Sequence, residues 1–373
     1  MKITILSLRG PTNYPHKGGA REYIKYLAAP WLKEGHDITL VCGVENKYGL
    51  PPRENVDGIE VIRVGKSGTP IAAIWSYYKK HLESSTDRLI ENMVSFPMLS
   101  PLLSPGKNNT TIVHHLTGKD YWTTQSLPKA IIGVFMEKVV LPVVYRRTKM
   151  VGVSELTRHE LAGNGIPEDR ISIIEPGVNN AYFAPDAGVK KEPLIFYIGR
   201  MGGVKKVDHL ITAFKELSKT YPELRLVVAG PGDTEELKAL AGDAPVEFAG
   251  FLSEEEKRDY YRRCMVFASP SMREGFGITY VEANACGTPV VGYKIEGLET
   301  VAEDAGIFVT QGDVNALKKA IEIIYVDEAL RTRMEKAAIT SAARFSWEVS
   351  SRKGLELVLS DRRRKLPVPG TQS

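Results

Sequence analysis

The sequence predicts an α/β protein of two doubly wound domains, each a mostly parallel sheet with helices on both faces. Three observations predict this. The chain has 373 residues, more than one hydrophobic core usually serves. Two separate series of short, Val/Ile/Leu-rich runs alternate with helical stretches, the pattern of parallel sheets buried on both sides. Between the series lies a segment, Asn179–Pro193, that carries Pro185, Gly188 and Pro193 and reads as a linker. The expected partition is residues 1–180 for the first domain and 190–345 for the second, with a last helix over 346–360 that returns to the first domain.

In the first series, Lys2–Leu8, Asp37–Cys42, Ile59–Val64, Leu89–Glu91, Thr111–His115 and Met150–Ser154 read as strands bounded by turn or cap residues. Ala20–Glu34 reads as a helix ending at Gly35, and Ser154–Ala162 as one opened by a serine cap. In the second, Leu194–Gly199, Leu224–Gly230, Val246–Phe248, Met265–Ser269, Pro289–Tyr293 and Gly306–Val309 are the strands. The helices between them are Val207–Lys219, Thr234–Ala241, Ser253–Cys264 and Thr279–Cys286. The tail, residues 361–373, carries RRRK and PVPGTQS and is expected to be disordered.

Composition excludes several classes. No run of about 18 uncharged apolar residues exists, so no membrane-spanning helix is expected. The N-terminus MKITILSLRG is too short and β-like for a secretion signal. Cys42, Cys264 and Cys286 show no paired or metal-binding spacing and read as free buried thiols in a reducing, cytoplasmic setting. Residues 1–180 hold 22 Lys and Arg against 17 Asp and Glu. That mild excess suits an anionic acceptor or membrane surface, yet it is also unremarkable for a soluble domain. No basic patch interleaved with aromatics suggests nucleic acid.

In such sheets ligands bind at the carboxyl ends of strands, so unusual residues there carry the functional reading. REGFGITYVEANACGTP, Arg273–Pro289, is the strongest block. Gly275 and Gly277 permit close backbone approach, and the amides of Phe276, Gly277 and Ile278 stand at a helix start suited to a phosphate or sugar oxygen. Glu274 and Glu282 are expected to face one pocket and to accept hydrogen bonds from vicinal hydroxyls; the bland alternative is a solvated face. GRMGGVKKVD, Gly199–Asp208, sets Arg200 and Lys205 in a glycine-containing loop, where two cations fit a departing diphosphate. It is no Walker loop, since Val204 occupies the second glycine position. Lys17, Gly18 and Gly19 lie in a loop between the first strand and the first helix, where paired glycines permit close approach to a phosphate, though tight turns use such pairs too. His114 and His115 end a strand, and adjacent strand residues point to opposite faces. His114 is taken as the one facing substrate. Isolated, it reads equally well as a structural histidine.

Together these blocks resemble the retaining glycosyltransferases of family 4, from KGGAREY near the start to FSW at Phe345–Trp347. The E-x7-E element (Glu274 to Glu282) and GR-x4-K-x2-D (Arg200, Lys205, Asp208) carry most of the likeness. VSELTRHEL, PGVN and IEGLETVAEDAGIFV support it. The resemblance implies the GT-B fold, two Rossmann-like domains facing each other across a cleft, with acceptor bound by the first and nucleotide-sugar donor by the second. It implies that Arg200 and Lys205 hold the donor diphosphate, Glu282 the ribose, and Glu274 with the Gly275–Ile278 amides the transferred sugar. His114 would hydrogen-bond that sugar, and Gly18 and Gly19 would contact phosphate. Transfer would retain configuration without a bound metal or a cofactor beyond the UDP- or GDP-linked sugar. The acceptor would be a hydroxyl of a sugar, a lipid-linked sugar or a small molecule. The expected location is cytoplasmic, extending to peripheral contact with the membrane's inner face. Lys206 stands where many members have glycine.

Other readings weigh less. A sugar-nucleotide 2-epimerase shares the fold but needs an acid/base pair at a sugar carbon. A non-catalytic sugar-nucleotide-binding protein has no feature in its favour. A dinucleotide oxidoreductase lacks GxGxxG after the first strand. Acceptor choice falls to loops around Gly10–His16, Gly65–Pro70, Ser95–Ser104 and Thr117–Pro128, where Tyr14, Tyr121 and Trp122 offer rings to stack on a sugar. The apolar stretch Ala130–Tyr145, followed by Arg146, Arg147 and Lys149, reads first as a core helix ending in cations and second as a face resting on a membrane.

Overall fold

A computed structural model describes residues 1–13, 19–45, 49–66, 70–94, 96–105, 109–118 and 121–360. Gly18, Lys17, Tyr14 and the tail 361–373 lie outside these residues. The chain forms two compact units, Met1–Gly177 with Trp347–Ser373, and Val178–Ser346.

Unit 1 is built on an eight-stranded sheet. Its strands are β1 (Lys2–Ser7), β2 (Asp37–Gly43), β3 (Arg53–Val56), β4 (Ile59–Val64), β5 (Arg88–Met93), β6 (Asn109–Val113), β7 (Lys149–Gly152) and β8 (Ile171–Ile173). The spatial order is β3-β4-β2-β1-β5-β6-β7-β8, parallel except for the β3–β4 hairpin. Asp57 and Gly58, both at positive φ, make that hairpin's turn. β1 alternates: Ile3 and Ile5 pack with Tyr23, Leu27 and Trp31 of the helix Gly19–Lys33, while Leu6 packs with Ile74, Tyr78 and Met98 on the other face. The helix Trp347–Leu359 also covers this sheet. Trp31 Nε1 donates to the Ser351 carbonyl at 2.9 Å, and Ser351 Oγ donates to the Leu27 carbonyl at 2.7 Å. Gly354 admits the close contact, since a Cβ there would stand 3.1 Å from Leu27 and Trp31 atoms.

Unit 2 carries a six-stranded parallel sheet of β9 (Glu192–Ile198), β10 (Arg225–Ala229), β11 (Val246–Gly250), β12 (Cys264–Ser269), β13 (Val290–Tyr293) and β14 (Gly306–Val309). The order is β11-β10-β9-β12-β13-β14. Leu194 and Phe196 of β9 face one core and Ile195 and Tyr197 the other, so both faces are covered. Cys42, Cys264 and Cys286 are free and buried.

The strand and helix positions differ from expectation mostly by one or two residues. Thr111–His115 ends instead at Val113, and Met150–Ser154 at Gly152. β3 and β8 were not expected, because RENV is polar and ISI is only three residues long. The expected linker is displaced. The chain passes into unit 2 at Gly177–Val178, and Asn179–Pro193 is tied to that unit: Phe183 is buried in its core, and the Val178 N–H donates to the Phe345 carbonyl at 3.1 Å. Tyr121 offers no ring for stacking: it is buried and packs where a Cβ on Gly133 would stand 2.4 Å from Cε1. Trp122 is exposed.

Lys206 adopts the left-handed conformation, φ 49° and ψ 43°, as N-cap of the helix Val207–Thr220. For a residue with a Cβ that conformation costs roughly 1–2 kcal/mol, partly offset by the greater chain entropy glycine loses on folding. Lys206→Gly is therefore expected to raise stability by up to about 1 kcal/mol. Lys206→Val is expected to lower it by about as much, because β-branching is worse at positive φ. Thermal melts of the two variants check this; a destabilised glycine variant contradicts it.

Candidate active site

From β9 the chain of unit 2 runs outward through β10 and β11; it then returns to β12 beside β9 and runs the other way through β13 and β14. β9 and β12 thus flank the point where strand order reverses, and ligands of open α/β sheets bind at the carboxyl ends of such a pair. Gly199–Asp208 follows β9 and Arg273–Ile278 follows β12, so both sequence blocks stand at this one position.

The β9 loop is shaped by glycines and one tyrosine. Tyr197 Oη donates to the Arg200 carbonyl at 3.0 Å. Gly230, at φ 121°, lies so near that a Cβ there would stand 1.9 Å from the Gly199 oxygen. Gly202 and Gly203 at positive φ lead into the 3-10 turn Gly203–Lys205. The Met272 N–H donates to the Val204 carbonyl at 2.7 Å and joins the two loops. Across that joint Lys205 Nζ donates to Glu274 Oε1 at 2.5 Å, with both side chains less than a fifth exposed. Arg200 is exposed.

The helix Ile278–Ala285 begins at Gly277, φ 73°, with no side-chain cap. Leu298 Cδ2 would stand 2.4 Å from a Cβ at Gly277, so both conformation and space demand glycine. Phe276 is buried and meets Phe345 edge-on at 5.3 Å, and Thr300 Oγ1 donates to the Phe276 carbonyl at 3.1 Å. The N–H groups of Phe276, Gly277 and Ile278 meet no acceptor among the described residues. They are donors at a helix N-terminus, a place that suits an anion or a sugar oxygen.

Glu274 and Glu282 take different partners. Glu282 is buried, accepting from Lys257 Nζ at 3.0 Å and from Tyr261 Oη at 3.1 Å. Burial raises its carboxyl above the ordinary range, against the lowering pull of the Lys257 ammonium. Lys257 and Tyr261 lie one turn apart on the helix Glu254–Arg263, started by a Ser253/Glu256 capping box. Sequence reading missed both; the visible signal was the capping box, which fixes which face the i, i+4 pair presents.

In unit 1 the corresponding reversal lies between β1 and β5. His114 follows β6, with its N–H still bonded to the Met93 carbonyl at 3.3 Å. Its ring is half-buried, meets Tyr23 edge-on at 5.1 Å, and places Nε2 2.7 Å from Asn92 Oδ1, while His115 is exposed. Ser7 Oγ donates to the Arg9 carbonyl at 2.6 Å and accepts from Asn92 Nδ2 at 3.0 Å. Because the serine proton is committed, Asn92 must turn its amide nitrogen to Ser7 and its oxygen to His114. Nε2 therefore carries the proton, and Nδ1 is left as an acceptor. Burial, with a smaller push from His115, drives the imidazole down to about 3. Asn92 and Ser7 escaped sequence reading, since nothing local marks them. Gly19 opens the helix Gly19–Lys33 with nothing within 4 Å of its missing Cβ.

The His114 value has a consequence for stability. The unfolded chain binds this proton near the ordinary imidazole range and the native state does not. The contribution is thus complete above about pH 6.5 and drains as pH falls toward the native value, by at most about 1.4 kcal/mol per pH unit. Asn92→Asp places a carboxylate against Nε2–H and is expected to raise the His114 value and flatten this acid limb. NMR titration of the imidazole, beside melts over the same range, checks both; an unmoved titration contradicts the assigned hydrogen bond.

Among the described residues no group of three His, Cys, Asp or Glu side chains gathers as a metal site requires. Residues 180–341 match the family described as glycosyl transferases group 1. The D-inositol 3-phosphate glycosyltransferase of Kribbella flavida is 29% identical over 235 residues, 56% of this chain and 55% of that protein. The chain thus spans about half the length of the first curated relatives it matches. The phosphatidyl-myo-inositol mannosyltransferase of Mycolicibacterium smegmatis is 24% identical over 367 residues, 91% of this chain and 90% of that one. Among solved structures, sucrose-phosphate synthase from Thermosynechococcus elongatus superposes with a TM-score of 0.78 at 21% identity, covering 95% of this chain and 98% of that one. Anabaena HepE in complex with UDP-glucose superposes with a TM-score of 0.73 at 18% identity, covering 95% and 98%. These likenesses show the GT-B fold.

Proposed function

We propose, from the match of residues 180–341 to the glycosyl transferases group 1 family, that the chain moves a sugar from a nucleoside-diphosphate donor to a hydroxyl acceptor, retaining anomeric configuration and using no metal. The observation that carries this reading is the union, at the carboxyl ends of β9 and β12, of the Arg200/Lys205 loop with the unpaired amides of Phe276–Ile278. Fixed cations and amide dipoles stabilise a diphosphate most when its charge grows, at the moment the glycosidic bond breaks.

In this mechanism Lys205 Nζ and Arg200 meet the donor phosphates, and the helix-start amides of Phe276–Ile278 add neutral donors. Glu274 accepts hydrogen bonds from the transferred sugar and, through its contact with Lys205, holds that ammonium in place. Glu282 keeps lone pairs beyond those used by Lys257 and Tyr261, and these accept the ribose hydroxyls. His114, neutral and protonated at Nε2, offers Nδ1 to a sugar hydroxyl. As the anomeric carbon–oxygen bond breaks, the leaving phosphate oxygen takes the proton of the acceptor hydroxyl. The acceptor oxygen then bonds that carbon on the same face. Products are the glycosylated acceptor and the nucleoside diphosphate, with no proton left over. The acceptor is a hydroxyl of a sugar, a lipid-linked sugar or a small molecule.

A thermal-shift panel of UDP-, GDP-, ADP- and dTDP-sugars tests the donor, because a ligand that binds only the native state raises the melting temperature in proportion to RT ln(1 + [L]/Kd). One base is expected to stand out, and transfer by that donor should survive chelator and give a product of unchanged anomeric configuration by NMR. No shift with any donor, or an inverted product, would sink the proposal.

A further inference from the structure

The helical stretch from Leu127 to Val144 presents two unlike faces. It comprises Leu127–Phe135, the π-helical turn Met136–Val140 and Leu141–Val144. Ala130, Gly133, Glu137, Leu141 and Tyr145 are buried. Leu127, Ile131, Ile132, Phe135, Val139 and Val143 are 47% to 74% exposed, which corrects the expectation of a core helix. Four residues of α-helix overshoot a turn by about 40°, so a fourfold spacing drifts around the axis. The wider π turn takes the drift back and keeps Leu127, Ile131, Phe135, Val139 and Val143 in one stripe. Trp122, next to the Tyr121 that packs on Gly133, is exposed as well.

Charge on this stretch is one-sided. Lys129, Lys138, Arg146 and Arg147 are exposed. The only acid between Tyr121 and Arg147 is Glu137, which turns inward and accepts the N–H groups of Thr117 and Gly118 at 2.8 and 2.9 Å. Lys149 is no part of the cationic set, because its Nζ donates to the Leu357 carbonyl at 2.8 Å. At the end of the stripe a recess of about 700 Å³ is lined by Val143, Arg146, Arg147 and Arg170, with Asp169 as its acid. A long apolar stripe rimmed by cations on a helix is the pattern of an element that lies in a bilayer interface. A second copy of the same face would set like charges against one another.

We propose that this face docks unit 1 on an anionic lipid surface, the stripe entering the acyl boundary and the arginines around the recess taking lipid phosphates. No helix among the described residues is long and apolar enough to span a membrane, so the contact is peripheral. Co-sedimentation with phosphatidylcholine vesicles, with and without phosphatidylglycerol, tests it at low and high salt. The protein is expected to pellet with the anionic vesicles at low salt and to leave them at high salt. Arg146→Glu with Arg147→Glu should weaken binding at least about tenfold. Phe135→Glu with Val139→Glu should abolish it, and all four positions are exposed, so circular dichroism and donor binding should stay unchanged. Absence of binding at low salt, or variants that pellet like the parent, overturns the proposal. So does a concentration-dependent dimer in light scattering that the stripe variants disperse.

Discussion

Lys205→Ala is expected to lower turnover by about 10²–10³-fold, the usual loss when one preorganised donor to a developing negative charge is removed. The ammonium is held 2.5 Å from Glu274 in a site less than a fifth exposed, so it waits in place and needs no reorganisation as the bond breaks. Donor affinity should fall much less, since the bound donor carries less charge on the bridging oxygen than the leaving group does. The change also leaves Glu274 without its cation, and Lys205→Ala with Glu274→Gln separates that side effect from the loss of the ammonium. Single-turnover rates and equilibrium donor binding, measured on both variants, are the readouts. A Lys205→Ala protein with parental turnover would remove the lysine from the mechanism.

The second large effect concerns Glu282, whose carboxylate is buried against Lys257 and Tyr261. Glu282→Ala takes from the Lys257 ammonium its buried partner and leaves it Glu254, a more exposed carboxylate at 3.2 Å, and the Phe183 ring at 4.9 Å. Breaking one side of a buried pair costs roughly 3–5 kcal/mol, whereas replacing both partners with apolar groups is close to neutral. Glu282→Ala should therefore melt lower and bind nucleotide more weakly. Glu282→Met with Lys257→Met should recover most of the stability, less a contribution for the Tyr261 hydroxyl, and still fail to bind nucleotide. Calorimetric melts and nucleotide titrations distinguish the two. Restored binding in the double variant would assign Glu282 to structure alone.

Much of this architecture was legible because parallel strands buried on both faces must be apolar throughout. LIFYI and LVVA announce themselves, and the glycines after them mark loops. RENV was illegible as a strand because an edge strand needs little hydrophobicity; the Asp57-Gly58 turn was its one clue. The Gly199–Asp208 and Arg273–Ile278 blocks were legible one at a time, but their union depends on β12 returning beside β9, which no local pattern encodes. The expectation that Glu274 and Glu282 face one pocket came from the loop that separates them. Their separate partners, Lys205 and Lys257, come from two other segments. Asn92, which sets the tautomer of His114, sits in a strand where polar residues carry no periodic signal. The helix from Leu127 was misread for the opposite reason: apolar periodicity says that a face exists, and not what covers it.

The return of Trp347–Leu359 to the first sheet shapes how the protein can be made. Unit 2 is one uninterrupted stretch, and its core needs no residue from beyond Ser346. Unit 1 must hold Leu27 and Trp31 uncovered through the synthesis of some 170 intervening residues. Only then does the last helix arrive, bringing Ser351 to Trp31, Leu357 to Lys149 and Val358 to Arg88. A nascent chain stalled before that helix would present an unfinished apolar surface to chaperones and proteases.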